Sequence, residues 1–263
     1  MKMTMLDGTA WRTEGEGPNI IFVHGNGSTH ETWQGTVKHL TDAFRCTVYD
    51  LRGHGHSQSI QGELTLDMLV EDLERLRATL DIERVFVVGH SLGSFVAGAY
   101  ARKYPRHVER LCLMATPVKR TDQERQSNAT LIEKIKRNGV KETVSSLVKN
   151  WYTDPFVVAH PALLQRRLDQ LLSIGESAFI SAYELYNRTE IDCWLPTIAA
   201  PTLVMTGEFA KGCGADVAQY TAASIPTAKL VIFPQMKNGI LTEIPDRVAN
   251  EIAAFANTAV HCA

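Results

Sequence analysis

Short apolar runs rich in β-branched residues recur along the chain: Ile20–Val23, Cys46–Tyr49, Val85–Val88, Leu111–Met114, Leu203–Met205 and Leu230–Phe233. None alternates strictly between apolar and polar residues, so each predicts a strand buried on both faces of a mostly parallel sheet. Helical patterns lie between them. Leu66, Leu69, Leu73, Leu76 and Leu80 form a stripe at alternating spacings of three and four. Asp67 falls in the first turn, where a carboxylate suits the positive end of the helix dipole. Strand–helix alternation of this kind predicts the α/β class, with a doubly wound, mostly parallel sheet.

The alternation stops between Thr116 and Pro201. Leu131–Lys136, Val140–Tyr152, Leu163–Leu172 and Ser177–Tyr186 all read as helices, with no strand candidate among them. The pattern predicts a core made of residues 1–117 and 200–263, interrupted by a helical cap at 118–199. An insertion of that length is expected to lie over the carboxyl ends of the strands, where open α/β sheets bind ligands. Trp151 and Tyr152, with Phe156, are candidates to wall a substrate pocket. Packing of the cap onto the core is the other role open to them.

Composition narrows the function classes. Hydrophobic residues make up 44% of the chain and charged ones 21%, enough apolar surface for a large core. A formal charge of −2 leaves no electrostatic footprint for nucleic acid or an anionic membrane. Cys46, Cys112, Cys193, Cys213 and Cys262 are odd in number and include no C-x-x-C pair. With no signal-peptide core and no membrane-length apolar run, this predicts reduced thiols and a cytoplasmic location. The nine histidines lack metal-ligand spacing.

The candidate chemistry begins where the third run ends. Gly89-His90-Ser91-Leu92-Gly93 follows Val85–Val88 and precedes a run of small helix-forming residues. That is the G-x-S-x-G pattern of a nucleophile elbow, a tight strand-to-helix turn that exposes a serine hydroxyl. Two further stretches join it: His24-Gly25-Asn26-Gly27 after the first run, and Asp50-Leu51-Arg52-Gly53-His54-Gly55-His56-Ser57 after the second. In this order and spacing the three resemble the α/β-hydrolase fold family, over roughly residues 18–117 and 200–256. The resemblance implies that Ser91 is the nucleophile and that the backbone amides of Asn26 and Leu92 form an oxyanion hole. It implies structural roles for His54 and His56, a His90 side chain turned away from the Ser91 hydroxyl, and no metal or organic cofactor. The expected partner is a small-molecule substrate, and the expected assembly a monomer or homodimer.

The same resemblance locates the remaining triad members, in the chain order serine, acid, histidine. The acid belongs three residues after Gly207, where the chain reads Gly207-Glu208-Phe209-Ala210. The histidine belongs four residues after Pro234, where it reads Pro234-Gln235-Met236-Lys237-Asn238. Ala210 and Asn238 therefore stand at vacated acid and base positions. An amide accepts no proton near neutral pH, and alanine orients nothing. Loss of a triad base costs on the order of 10⁶ in turnover, and an oxyanion hole with binding alone leaves roughly 10³–10⁴ over the uncatalysed reaction. Among substitutes, Lys237 is expected to project away from the site, Glu208 to be solvated or paired at the strand end, and His160 to lie at the surface, while Asp122 would be an acid without a base.

The expected function is thus a serine hydrolase acting on an ester, lactone, amide or C–C bonded carbonyl, severely impaired in this chain. Two origins fit: a working hydrolase inactivated by substitution, which the intact elbow favours, or a natural homologue that has left hydrolysis. A ligand-binding homologue and a cofactor-free lyase or oxygenase are the alternatives on the same fold.

Overall fold

In the computed structural model, which describes residues 3–258 except Gln61, the six apolar runs all lie in strands of one eight-stranded sheet. The strands are β1 (Thr4–Leu6), β2 (Thr9–Glu14), β3 (Asn19–Val23), β4 (Arg45–Tyr49), β5 (Val85–His90), β6 (Val108–Met114), β7 (Thr202–Gly207) and β8 (Ala228–Phe233). Their spatial order is β1-β2-β4-β3-β5-β6-β7-β8. From β4 to β8 every neighbouring pair is parallel, whereas β1 and β2 pair antiparallel with each other and β2 antiparallel with β4. The hairpin β1–β2 escapes a reading by apolar runs because its strands are short and half-exposed. Its signal is the turn Asp7-Gly8, with φ values of 43° and 81°, as a type I′ turn requires.

Ten α-helices accompany the strands among the described residues, besides short 3-10 turns: α1 (Gln34–Val37), α2 (Leu66–Thr79), α3 (Leu92–Lys103), α4 (Asp122–Val148), α5 (Asp154–Ala159), α6 (Pro161–Ser173), α7 (Glu176–Arg188), α8 (Ala215–Ser224), α9 (Ile240–Glu243) and α10 (Pro245–Ala256). The leucine stripe forms α2, capped by the Thr65 hydroxyl accepting from Met68 N–H. Both faces of the sheet are covered. Ile21, Val23, Val85 and Val87 pack with α2 and α3 on one side, and Ile20, Phe22, Phe86 and Val88 pack with α10 on the other. This double burial is the reason the runs do not alternate.

Helices α4 to α7 occupy the interval between β6 and β7. They enclose apolar residues of their own, among them Ile135, Val144, Tyr152, Leu171 and Phe179. Gly139 breaks α4 into two pieces with a φ of 83°. Cys46, Cys112, Cys193 and Cys213 are free thiols, and Cys262 lies outside the described residues. No helix among the described residues is long and apolar enough to cross a membrane.

Candidate active site

Ser91 sits between β5 and α3 with φ 53° and ψ −119°. That backbone conformation is unfavourable for a residue with a side chain, on the order of 1–3 kcal/mol. Its surroundings hold it there: Ser91 N–H donates to Met114 O at 2.9 Å, and Ser94 N–H donates to Ser91 O at 2.9 Å. The flanking glycines are needed for close approach. A Cβ on Gly89 would stand 2.2 Å from Gly93 O, and one on Gly93 would stand 2.1 Å from Val23 O. Gly25 packs onto the serine itself, its ideal Cβ 3.0 Å from Ser91 Cβ. At these glycines β3, the turn and α3 approach closely enough for backbone contact, and the Ser91 side chain lines the cavity at the carboxyl end of the sheet.

That cavity holds about 600 Å³. Its floor includes Asn26, Ser91, Cys213 and Asn238, and its roof includes Trp151, Tyr152 and Arg167. Among the described residues, no protein acceptor takes up the N–H of Asn26 or of Leu92, and no side chain bonds the Ser91 hydroxyl. Both amides are free to donate.

The loop bearing Asn26 rests on a buried polar scaffold. His24 Nδ1 donates to Gly25 O at 2.8 Å, and His24 Nε2 accepts from Leu51 N–H at 2.9 Å. Those two bonds fix a neutral tautomer, and burial lowers its pKa to about 3. His54 Nε2 lies 3.2 Å from Asn26 Oδ1 and accepts from Gly27 N–H at 3.4 Å, and burial lowers its pKa to about 4. Asp50 is fully buried and accepts from the His30 side chain and from the backbone N–H groups of His30 and His56. Burial alone would raise its pKa, but the bonds to His30 and His56 outweigh it, and the carboxyl group is held well below the usual range. His30, Asp50 and His56 are the one group among the described residues that converges as metal ligands would. Both Asp50 oxygens are already taken by protein donors, so the group acts as a clamp between two loops.

His90, beside Ser91, faces the Trp33 ring edge and the Asn238 backbone. Its Nε2 is buried without a partner. Burial, and then the charge of Arg167, lower its pKa to about 4.

The two positions at issue lie on adjoining loops after β7 and β8. Ala210 is buried against Ala115 and Cys213. The Asn238 side chain reaches the same loop: its Oδ1 accepts from Lys211 N–H at 3.1 Å, and its Nδ2 lies 3.4 Å from Cys213 Sγ. The amide is therefore bonded beside position 210 and makes no bond to Ser91. The weaker substitutes are engaged elsewhere. Lys237 pairs with Asp154 at 2.8 Å, and Asp122 with Arg125 at 2.6 Å. Glu208 accepts from Gln235 N–H, and exposed His160 leans on Phe156.

Trp151 and Tyr152 both line the cavity, and Tyr152 also stacks on Phe156 with ring centroids 5.5 Å apart. Two cavity residues were not apparent from sequence motifs. Cys213 carries a thiol whose pKa burial raises to about 12. Arg167 had a legible signal, since it falls on the apolar stripe of α6 between Leu164 and Leu171.

The chain matches the alpha/beta hydrolase fold family over residues 18–236. It belongs to that family. Uncharacterized proteins of Mycobacterium tuberculosis and Mycobacterium bovis share 39% identity with this hydrolase-fold chain over 106 residues, which is 40% of its length and 31% of theirs. The match thus spans about a third of those relatives. The 3-oxoadipate enol-lactonase 1 of Acinetobacter baylyi is 30% identical over 195 residues, covering 72% of this chain and 70% of the relative. In three dimensions the hydrolase fold superposes on the enol-lactonase from Burkholderia xenovorans LB400 with a TM-score of 0.90. That comparison covers 97% of this chain and 100% of the other at 23% identity.

Proposed function

We propose that this chain is a capped hydrolase-fold protein whose parent chemistry is serine attack on an ester, lactone, amide or C–C bonded carbonyl of a small molecule. Both triad partners of Ser91 are missing. The observation that carries this reading is the cavity floor. Ser91 and two unspent N–H donors open into a space of about 600 Å³, while the adjoining loops offer an alanine and an amide. The residues of 118–199 that roof the cavity act as its cap. By their names, similar proteins act on an enol-lactone and on the methyl ester of a pimeloyl-carrier-protein conjugate, which supports cleavage of an ester or lactone. No metal or organic cofactor has a part in this chemistry.

In the parent reaction the Ser91 oxygen bonds to the carbonyl carbon, the hydroxyl proton passes to a base at position 238, and the Asn26 and Leu92 amides receive the developing oxyanion. In this chain the proton has no acceptor. Asn238 cannot take it, and His90 makes no bond to the Ser91 hydroxyl. Turnover is expected to be severely impaired while binding persists.

Restoring both partners tests the reading. Ala210→Asp with Asn238→His is expected to return roughly 10³-fold or more in turnover on a panel of esters, lactones and amides. Asn238→His alone should recover part of that, and Ala210→Asp alone almost none. A double revertant that binds a panel compound yet neither turns it over nor acylates Ser91 by intact mass overturns the hydrolase reading. It would establish the second reading, a ligand-binding protein. The feature favouring that alternative is the satisfied Asn238 amide, which closes the vacated position with bonds of its own.

A further inference from the structure

Helix α6 is amphipathic, and its inward stripe contains one residue of the wrong kind. Leu164 and Leu171 are buried and Leu168 packs beside them. Arg167 lies on the same side, three residues after the first and four before the last. Its guanidinium lines the cavity above Ser91, 5.6 Å from the centroid of the Trp151 ring. It is close enough to His90 and His54 for its charge to lower the proton affinity of both.

What the guanidinium lacks is an anion. Its Nη1 is sealed from solvent and has no hydrogen-bond partner, its polar neighbour is the Tyr152 hydroxyl, and no carboxylate pairs with it among the described residues. Glu124, the acidic residue on the cavity wall, gives an oxygen to the N–H and hydroxyl of Thr121. The second wall guanidinium, Arg120, is spent on the carbonyls of Tyr186 and Thr189. An arginine cannot shed its charge, and a half-buried guanidinium with one sealed nitrogen and no anion is left short of partners. A cation–π contact offsets only part of that shortfall.

We propose that Arg167 anchors a carboxylate of the ligand, so that the cavity takes a small acyl compound bearing one carboxylate away from the carbonyl that faces Ser91. The inference rests on the reading of this cavity as an acyl-binding site. A planar fork with free N–H groups matches the two coplanar oxygens of a carboxylate. Phosphate, with more charge and a tetrahedral array of oxygens, would require more donors than the aromatic surroundings of Trp151 and Tyr152 supply.

Calorimetric titration tests this without any turnover. The probes are the monomethyl esters of succinic, glutaric and adipic acids, the matching dimethyl esters, and inorganic phosphate. At least one monoester is expected to bind roughly tenfold or more tighter than its dimethyl counterpart. Arg167→Met should weaken that monoester by roughly 10- to 100-fold, as expected for a lost charge-assisted bond pair. Binding of the diester should stay within about threefold. Arg167→Lys retains the charge without the fork and should lose roughly fivefold or more; it decides the matter if the methionine variant does not fold. Equal binding of monoester and diester overturns the assignment, as does an undiminished monoester preference in either variant. So does the absence of monoester binding at about 10 mM, or phosphate binding as tightly as the best monoester. Acylation of Ser91 plays no part in this measurement, so the anchor and the nucleophile can fail separately.

Discussion

At the scale of single residues, the candidate site depends on where a Cβ atom can and cannot be placed. Ser91 holds a left-handed φ while Gly93 lets the start of α3 approach the Val23 carbonyl of β3 with no side chain between. Gly93→Ala would drive a Cβ to 2.1 Å from Val23 O, a backbone atom that cannot swing aside. Overpacking there is expected to cost about 1–3 kcal/mol or more, read as a lower urea midpoint. Gly98, one turn further into α3, makes the converse case. The nearest atom to a Cβ there is Leu113 Cδ2 at 3.9 Å, and its φ is ordinary. Gly98→Ala should therefore stabilise the protein by about 0.4–1 kcal/mol, chiefly by restricting the unfolded chain. An unchanged or lowered midpoint would show that α3 has less room than its contacts indicate.

At the scale of elements, the inserted helices are tied to the core beside the cavity. Gly239 N–H donates to Trp151 O at 2.7 Å, and the Glu243 carboxylate of α9 accepts from both the N–H and the hydroxyl of Thr153, just before α5. Tyr152 lies against Gly239 so closely that a Cβ there would meet its ring at 2.4 Å. Glu243→Ala leaves the two Thr153 donors without an acceptor. The expected cost is about 1–3 kcal/mol, concentrated where Trp151 and Tyr152 join the cavity wall. Hydrogen exchange should accelerate at Thr153 and in α5 while the strands β3 and β5 keep their protection. Uniform acceleration across the sheet would mean that this tie supports the whole fold.

At the scale of the whole molecule, buried neutral histidines set the response to acid. His24, His54 and His90 have pKa values lowered to about 3, 4 and 4, in each case by burial first. The unfolded chain protonates its histidines near 6.5, so between that value and about 4 it binds more protons than the native state. Stability is fully present above pH 6.5 and falls as pH drops through this window. With three such groups, unfolding should take up close to three protons near pH 5, on the order of 1.4 kcal/mol per proton per pH unit. Urea midpoints between pH 7 and 5 check this above the range where carboxylates such as Glu74, held at about 2, begin to contribute. A flat profile over that interval would mean that these rings become protonated in the native state.

Local pattern and local chemistry were enough to place the strands β3 to β8, the helix α2 and the serine at the junction of β5 and α3. The physical reason is that burial on both faces and backbone crowding at a turn leave their mark on a few consecutive residues, as Val85 to Gly93 show. Ala210 and Asn238, on the loops after β7 and β8, were equally plain, because their identities need no structure to be read. The hairpin β1–β2 was legible only through Asp7-Gly8, since half-exposed edge strands carry little apolar signal. Tertiary structure alone decided the rest. His24 bonds Leu51, Asp50 bonds His30, and Asn238 meets Lys211, each across a chain separation of 20 residues or more that no periodicity spans. It also decided that the polar member of the α6 stripe, Arg167, faces a cavity instead of water. Whether a charge on an inward helix face finds an anion depends on every element packed around it, and that becomes known only once the chain has closed.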